Sequence, residues 1–300
     1  MSEKLTVDEF HHKERLDVYL TQHMEDTPSR TFVKKLIDGG HVRVNGKTVK
    51  AHYKITQGET ISFEVPADLI KPTDIAPENI PLSILYEDDY LLVINKPVGM
   101  LVHPTTNIFN GTLVNALLHH CKTLSDVNTG MRPGIVHRLD QETSGVIIVA
   151  KDNKTHRKIA KQFERHTVRK KYLAIVEGAV EFDEGMVDAP LGKHSFHHER
   201  RSVDFSDVGK ESITLYRVLK RAPGISYMAL YPQTGRTHQL RVHMRHIGHP
   251  ILGDDKYGRK DTFSRLALHA QSVGFIHPGT THFVEFSCKT PPEFLERLKA

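Results

Sequence analysis

The sequence predicts an α+β protein of two domains, the larger of which is built on a mixed, largely antiparallel β-sheet. Three observations predict this. Helix and hairpin signals fill the first 65 residues, four prolines interrupt the chain between residues 66 and 81, and short strand-like segments with helices between them follow. Strands in such numbers, with few helices between them, are typical of α+β folds. The length of 300 residues also corresponds to about two domains.

The composition excludes several classes of protein. With 26% charged and 38% hydrophobic residues, the chain can bury a sizeable core and is not disordered as a whole. Its longest apolar stretches, such as residues 145–150, are far shorter than the roughly 20 residues that cross a bilayer. The N-terminus lacks the apolar segment of a secretory signal, and two cysteines are too few for a disulfide framework. We therefore expect a cytoplasmic protein with no membrane partner.

The segment before the prolines begins with two predicted helices. Leu16 and Leu20 are four residues apart, as on one face of a short first helix. Apolar residues at helical spacing between residues 32 and 37 predict a second helix, which Gly39–Gly40 ends because glycine accepts the left-handed C-terminal position.

A hairpin and a closing strand complete the small unit. Asn45–Gly46 stands between valines and predicts a type I′ hairpin, and Thr60–Val65 predicts the last strand. Residues 27–54 contain seven lysines and arginines against one acid, and cations held on one rigid surface can track phosphates. The candidate RNA-binding residues are Arg30, Lys34, Lys35, Arg43, Lys47 and Lys50.

Three strings in this unit, ERLDVYL, SRTFVKKLIDGGHVRVNG and GETISF, resemble the alpha-L RNA-binding domain. They cover about residues 14–65. The alternative is a generic αβ adaptor. We expect this domain over residues 1–66 with its core at 14–65, a proline-rich linker over 67–81 and a second domain over 82–300.

The second domain is predicted to be rich in strands. Ile84–Tyr86 and Tyr90–Ile94 predict two strands that flank an acidic turn. The further predicted strands are Val146–Ala150, Lys170–Val176, Ile213–Lys220 and Ser226–Leu230, and the predicted helices are Gln239–His246 and Pro292–Leu298.

A second basic cluster lies within this domain. Residues 151–171 contain nine lysines and arginines against two acids. Two separated basic clusters favour a polyanion that is long or is held at two points. The alternative for either cluster is a solvated helix face.

The segment GIVHRLDQETSGVIIVAKD, residues 134–152, contains the first candidate for chemistry. Asp140 stands in a polar turn directly before a buried strand. A carboxylate there can act as a nucleophile, a base or a metal ligand. The alternative is a turn aspartate that bonds its own backbone.

A second segment, residues 230–258, carries several cations. Gly235 predicts a tight turn before Arg236, and a short helix carries Leu240 and Arg241. These cations can contact phosphate, or one of them can pair with Asp140 and keep that carboxylate ionised and oriented.

Six sequence blocks in this domain resemble the RluA-type family of RNA pseudouridine synthases over about residues 82–300. The first is HRLDQETSG, residues 137–145, which corresponds to the family's catalytic loop. The other five are NKPVGMLVHP (95–104), RKKYLAIVEG (169–178), TGRTHQLRVH (234–243), GHPILGDDKYG (248–258) and LHAQSVGFIHP (268–278).

The resemblance implies roles for individual residues. Asp140 matches the catalytic aspartate, Tyr172 the tyrosine that stacks on the target base, and Arg241 the arginine paired with the catalytic carboxylate. Arg138 matches the arginine that enters the RNA stack where the base has left, and Leu240 an apolar residue of the uracil pocket. The remaining predicted substrate contacts are His137, Thr143 and Arg236. Gln141–Glu142 departs from the basic and acidic pair that the family usually carries there, which puts only local RNA contacts in doubt.

The implied reaction breaks the N1–C1′ bond of uridine and forms a C5–C1′ bond. It needs no redox cofactor and no metal, and the many histidines match no metal motif. The carboxylate can attack C1′ or remove the proton at C2′, and the residues leave both routes open. The target base must first leave the stack.

We expect a monomer that acts on structured RNA, with large-subunit ribosomal RNA as the implied substrate. Transfer RNA is the alternative substrate. A non-enzymatic RNA-binding factor for ribosome assembly is the alternative function.

Overall fold

The structure is a computed structural model that describes residues 3–24, 30–66, 75–105, 107–127, 132–194, 197 and 199–299. Its N-terminal part contains β1 (Glu3–Thr6), α1 (Leu16–His23), α2 (Arg30–Asp38), β2 (Val42–Val44), β3 (Lys47–Thr48) and β4 (Thr60–Phe63). These strands form an antiparallel four-stranded sheet in the order β1-β4-β2-β3.

The predicted hairpin is confirmed in this small sheet. Asn45 and Gly46 have φ angles of 50° and 78°, which is the pair of left-handed residues that a type I′ turn requires. The apolar stripe of α2 is buried, with Val33 and Leu36 fully inaccessible. Strand β1 was not predicted, and it pairs along β4 so that Leu5 faces Ile61. Its short, partly charged sequence gives little strand signal of its own.

The large sheet contains nine strands in the order β5-β6-β7-β14-β8-β13-β12-β9, and β15 also pairs with β14. Their bounds are β5 (Ile84–Glu87), β6 (Leu91–Lys96), β7 (Ser144–Ala150), β8 (Arg169–Glu177), β9 (Glu184–Asp188), β12 (Ile213–Ala222), β13 (Ile225–Pro232), β14 (Leu268–Ile276) and β15 (Phe283–Ser287). A separate two-stranded ribbon joins β10 (Leu191–Lys193) to β11 (Arg201–Val203). Within the nine-stranded sheet, β7 and β14 pair in parallel and the other pairs are antiparallel. The predicted fold class is confirmed.

Four helices accompany this sheet in the described part of the chain: α3 (Leu113–His120), α4 (Asn153–Glu164), α5 (Gln239–His246) and α6 (Pro292–Arg297). The predictions for α5 and α6 are confirmed. None of the described helices is both long and apolar enough to cross a membrane. Of the predicted linker, residues 67–74 lie outside the described residues, and residues 75–81 form neither helix nor strand.

The centre of the sheet positions the loop that carries Asp140. This loop enters β7 at Gly145, which has a φ angle of 116°. A Cβ atom at Gly145 would collide with the backbone carbonyl of Ala270 on β14, so only glycine allows the two strands to pair there. On the other side of β14, Tyr172 of β8 lies opposite Ala270. The loop and Tyr172 are therefore brought to the same place by strand pairing.

Candidate active site

A cavity of about 560 Å³ lies beside the loop that precedes β7. Small-ligand sites are typically about 300–1,000 Å³ in volume. The loop before β7, strand β8, and the turn and helix after β13 all contribute to its lining. It brings together the eight residues predicted for the catalytic domain, which are His137, Arg138, Asp140, Thr143, Tyr172, Arg236, Leu240 and Arg241.

Asp140 is held by a tight turn and by a lysine beneath it. The amide of Thr143 donates to the carbonyl of Asp140 over 3.0 Å, and the carboxylate side chain remains 21% exposed. The fully buried Lys96 donates from Nζ to the carbonyl of Gln141 at 3.1 Å, and also to those of Pro97 at 2.8 Å and Met100 at 2.9 Å. Lys96 thus ties the loop that carries Asp140 to the segment after β6.

Burial lowers the pKa of Lys96 to about 8, while the negative charges of Glu142 and Asp140 act in the opposite direction. The ammonium therefore keeps its three donors at neutral pH. The sequence analysis assigned Lys96 no role, although it belongs to the block NKPVGMLVHP. A lone lysine before a proline gives no sign in the sequence that it is buried.

Arg241 lies beside Asp140 but is anchored by another carboxylate. Its Nε and Nη2 donate to the two carboxylate oxygens of Asp254 at 2.8 and 2.6 Å, and Nη2 also lies 3.1 Å from Asp255. Its Nη1 lies 4.0 Å from Asp140. Arg241 and Asp254 are both buried, so the guanidinium is fixed in orientation. Arg241 therefore lies near Asp140, as the sequence predicts. Asp254, which orients the guanidinium, was not predicted.

His238 provides a second N–H group beside Asp140. The amide of Arg201 donates to Oη of Tyr257 at 2.8 Å, so the hydroxyl proton is free to point toward Nδ1 of His238, also at 2.8 Å. Burial lowers the pKa of His238 to about 4, although the charge of Asp140 works against this. The ring is therefore neutral at pH 7, and the negative charge of Asp140, 4.0 Å from Nε2, favours the tautomer that carries its proton on that nitrogen.

Tyr172 and Lys170 line the opposite wall from adjacent parts of β8. Burial raises the pKa of Tyr172, and the charge of Asp140 adds to this, so the phenol stays protonated and neutral. The ammonium of Lys170 donates to the carbonyl of Thr234 at 3.0 Å, and burial lowers its pKa to about 8. Lys170 was not singled out, because three consecutive basic residues conceal which one points inward.

The remaining predicted substrate contacts include both buried and exposed side chains. His137 stacks on Phe163 with ring centroids 4.7 Å apart and accepts the amide of Ile148 at Nε2 over 2.9 Å. Burial, together with the positive charge of Lys170, lowers its pKa to about 3, so the ring is neutral and fixes the loop. Arg138 and Arg236 are exposed at the rim of the cavity. Leu240 is buried and supplies an apolar wall.

The predicted RNA-binding residues of the N-terminal domain divide into two groups. Arg30 donates from Nε to Oδ2 of the buried Asp17 at 2.9 Å, and so joins α2 to α1. Much of its guanidinium still reaches solvent. The other five are exposed on α2 and around the hairpin: Lys34, Lys35, Arg43, Lys47 and Lys50. Their contacts with RNA stay a prediction.

One group of potential metal ligands lies elsewhere in the described residues. Single ligand atoms of Glu87, His120 and Cys121 lie within 4.8 Å of one another. The ammonium of Lys151 already lies 2.8 Å from Glu87, and Nε2 of His120 lies 3.0 Å from it. The structure thus shows a neutralised surface carboxylate at this position, separate from the cavity.

Comparison with known proteins agrees with the two-part organisation. The family model for RNA pseudouridylate synthase matches residues 90–246, and the model for the S4 domain matches residues 14–61. A protein of Bacillus subtilis strain 168 described as RNA pseudouridine synthase YlyB is 42% identical over 98% of this chain and 96% of its own. Ribosomal large subunit pseudouridine synthase D of Zymomonas mobilis is 41% identical over 88% of this chain and 87% of its own.

Solved structures show the same relationship for the larger domain. Human RNA Pseudouridylate Synthase Domain Containing 1 is 27% identical, with a TM-score of 0.57 over 73% of this chain and 95% of its own. Human RNA Pseudouridylate Synthase Domain Containing 4 is 28% identical, with the same TM-score over 72% of this chain and 93% of its own. The match over more than half of the chain, together with the relatives that align along almost all of it, establishes that this chain belongs to the RNA pseudouridine synthase family and carries an S4 domain at its N-terminal end.

Proposed function

We propose that this enzyme converts uridines of large-subunit ribosomal RNA to pseudouridine and that Asp140 is its catalytic residue. The observation that carries the proposal is the cavity itself. It presents the partly exposed carboxylate of Asp140 with Nη1 of Arg241 and Nε2 of His238 each 4.0 Å from it, next to a neutral tyrosine ring. This set of groups suits a reaction that needs an ionised carboxylate and a flat surface for a base.

The carboxylate of Asp140 acts at the ribose. Arg241 contributes a positive charge and His238 a neutral N–H group, and at such short range both favour the negative charge of the carboxylate. The ionised oxygen then has two routes: it forms a bond to C1′ as the N1–C1′ bond breaks, or it removes the proton at C2′. In both routes the electron pair of the broken bond leaves with the uracil, which turns and bonds to C1′ through C5. As this bond forms, the Asp140–C1′ bond breaks in the first route, and C2′ regains its proton in the second. C5 then releases its proton to solvent and N1 takes one up, so that the product is an isomer of uridine.

Tyr172 and Leu240 hold the extruded uracil. The phenol is neutral because its pKa is raised by burial, so the ring offers a flat, uncharged surface for stacking. Leu240 provides the apolar face on the side of α5. A base held between an aromatic and an aliphatic side chain can rotate in its own plane, which the isomerisation requires.

Arg138 compensates for the missing base. Its side chain is exposed at the rim of the cavity, two residues before Asp140. Extruding a base costs a few kcal/mol, and a planar guanidinium can recover part of this by stacking in the vacated position and contacting phosphate. The short distance along the chain then couples insertion of Arg138 to delivery of the nucleotide to Asp140.

The substrate class is inferred from the relatives. Two of the relatives, from Zymomonas mobilis and Pasteurella multocida, are named Ribosomal large subunit pseudouridine synthase D. The Pasteurella multocida protein is 37% identical over 96% of this chain and 91% of its own. The exposed cations of the S4 domain suit a large, structured RNA that is held at a second point.

Tritium release tests the proposal. Transcripts of large-subunit ribosomal RNA and transfer RNA containing 5-tritiated uridine are incubated with the protein, without added metal, beside the Asp140→Asn variant. We expect release from the ribosomal transcript and none from the variant. Release from transfer RNA alone would show that transfer RNA, and not ribosomal RNA, is the substrate. Release that persists in the variant would show that Asp140 is not the catalytic residue. If wild-type protein binds RNA tightly but releases nothing even from precursor ribosomal subunits, the protein is a binding factor.

A further inference from the structure

Helix α4 carries a row of cations along one face. Lys154, Lys158, Lys161 and Arg165 follow one another at intervals of four, three and four residues, which places them on one side of a helix. We call these four residues the basic helix face. From first to last they extend over about 16 Å, at 1.5 Å per residue. Lys154, Lys158, Lys161 and Arg165 are all exposed.

The charges of this face are not balanced within the described structure. Lys154, Lys161 and Arg165 form no ion pair with a described carboxylate, and Lys158 donates to the carbonyl of Pro278 instead. Like charges three or four residues apart destabilise a helix, and a cation in the first turn, such as Lys154, opposes the helix dipole. The dipole does favour Lys161 and Arg165 at the C-terminal end of the helix, so folding accounts for part of the row but not for Lys154 or for the repeated like charges.

The opposite face of α4 is fixed firmly to the sheet. Ile159 is fully buried, and Asp152 caps the helix by accepting the amide of Thr155 at 2.9 Å. Gln162 exchanges two hydrogen bonds of 2.8 Å with the backbone of Ile276. The packing fixes the helix backbone and hence the spacing of the basic helix face, so that binding costs mainly the rotamer entropy of its exposed side chains.

The C-terminal end of α4 opens onto the catalytic cavity. Glu164 and His166 line that cavity, and Arg165 stands between them in the chain, so the basic helix face ends beside residues of the cavity lining. A strand whose target nucleotide enters the cavity can therefore continue along the helix. The row is long enough to face several phosphates, since a stacked nucleic-acid strand carries about one phosphate every 3.4 Å along its axis.

We propose that the basic helix face binds the sugar–phosphate backbone of the RNA strand next to the target uridine and guides that strand into the cavity. This proposal rests on the proposed function. Because phosphate contacts carry no sequence information, the face contributes affinity and position but does not select the site.

The salt dependence of RNA binding tests the proposal. The triple variant Lys154→Gln, Lys161→Gln, Arg165→Gln is compared with wild type and with a control triple variant, Lys260→Gln, Lys289→Gln, Lys299→Gln. The control changes net charge equally at exposed lysines that do not line the cavity. Binding of a fluorescent 20-nucleotide oligouridylate is measured between 50 and 300 mM KCl, and tritium release from the ribosomal transcript is followed at saturating enzyme.

Each phosphate contact on a single strand contributes about 0.7 to the slope of log K against log salt concentration. We expect the slope of the test variant to fall by about 2, with affinity at 0.1 M salt weakened at least tenfold, while the control keeps the wild-type slope. The control variant should also keep the wild-type rate constant for tritium release at saturating enzyme, because none of its substitutions lies in the cavity or on the basic helix face.

An equal loss of affinity and slope in both triple variants would show that the effect depends only on net charge, and would overturn the proposal. An unchanged slope in the test variant would overturn it too. The proposed function is judged separately. If wild-type protein releases no tritium from any RNA while the two slopes still differ as expected, the reaction is refuted and the binding face is kept.

Discussion

Asp254 orients Arg241 toward Asp140. The two carboxylate oxygens of Asp254 accept Nε and Nη2 of Arg241 at 2.8 and 2.6 Å, which leaves Nη1 to face Asp140 at 4.0 Å. Both members of the pair are buried, and Asp254 also accepts the amides of Lys256 and Tyr257 at 2.9 Å each. The charge next to Asp140 is therefore positioned by a residue that does not itself line the cavity.

Replacing Asp254 by asparagine should damage both stability and activity. The substitution leaves the buried guanidinium of Arg241 without its counter-charge, and losing one member of a buried ion pair costs about 3–5 kcal/mol. Urea unfolding measures the stability. Single-turnover tritium release measures the activity, in the absence of urea and at a temperature at which the variant is folded. We expect at least a tenfold lower rate constant, because Arg241 can then turn toward Asp140 and pair with it directly.

Asp255→Asn is the matched control. Asp255 also lies 3.1 Å from Arg241, but its side chain is 50% exposed, and exposed ion pairs contribute about 0–1 kcal/mol. The rate constant and the free energy of unfolding should both stay close to wild type. Equal effects of the two substitutions would show that Asp254 does not direct Arg241.

Tyr257→Phe should alter the proton position on His238. The carboxylate of Asp140 lies 4.0 Å from Nε2 of His238 and favours the ring proton on that nitrogen, so we assign the Tyr257 hydroxyl as the donor to Nδ1 at 2.8 Å. Without the hydroxyl, the two neutral tautomers become closer in free energy, since this hydrogen bond contributes about 1 kcal/mol. We expect nitrogen NMR of labelled histidine to show a single Nε2–H form in wild type and a mixture in the variant.

The activity of Tyr257→Phe should fall in proportion to the fraction of His238 rings that lose the Nε2–H form. If half of the rings retain that form, the rate constant should fall by about twofold, well short of the loss caused by Asp254→Asn. An unchanged tautomer in the variant would contradict the assigned direction of the hydrogen bond between Tyr257 and His238.

Local signals in the sequence were enough to predict much of the fold. The hairpin at Asn45–Gly46, the helix Gln239–His246 and the buried strand that follows Asp140 are all present in the structure. Each depends on turn chemistry or periodicity within a few residues. Strand β1 and the parallel pairing of β7 with β14 were not predicted, because they depend on partners that are far away in sequence.

The candidate site shows the same division. The resemblance identified the residues whose side chains face the cavity, namely Asp140, Tyr172 and Arg241. It assigned no role to Lys96, which holds the loop after Asp140 through the carbonyl of Gln141, or to Asp254, which anchors Arg241. A supporting residue is defined by which side chain or carbonyl it reaches, and that depends on the packing of several segments. The blocks NKPVGMLVHP and GHPILGDDKYG contained these residues without indicating their contacts.

Acid should destabilise the protein through its buried histidines, and His269 provides the test. Burial, together with the positive charge of Arg265, lowers the pKa of His269 to about 4. In the unfolded chain the ring takes up a proton near pH 6.5, whereas the folded protein resists it. Between pH 6.5 and about pH 4, unfolding is therefore accompanied by binding of a proton to His269. The free energy of unfolding consequently falls as the pH decreases, by about 2 kcal/mol for this residue between pH 7 and pH 5.

His269→Gln should remove this contribution. Its unfolding free energy, measured with urea at pH 7 and pH 5, should decrease by about 2 kcal/mol less than that of wild type. Glutamine can retain one contact of the ring with Ser144 or Cys288, which lie 2.8 and 3.1 Å from it. His119→Gln, which changes an exposed ring, serves as the control. Parallel losses in wild type and His269→Gln would show that His269 titrates alike in both states.

Arg138→Ala should separate base extrusion from chemistry. The side chain is exposed, so its removal should change the free energy of unfolding by less than about 0.5 kcal/mol. If the guanidinium recovers about 1–3 kcal/mol of the cost of extrusion, its loss should lower the rate constant for tritium release roughly 10- to 100-fold. An RNA in which the target uridine is flanked by abasic sites needs no unstacking, because its base has no stacked neighbours. On that RNA the variant should approach the wild-type rate constant, since the groups around Asp140 are unchanged. A variant that stays equally slow on the stacked and abasic substrates would place Arg138 in the chemical step instead.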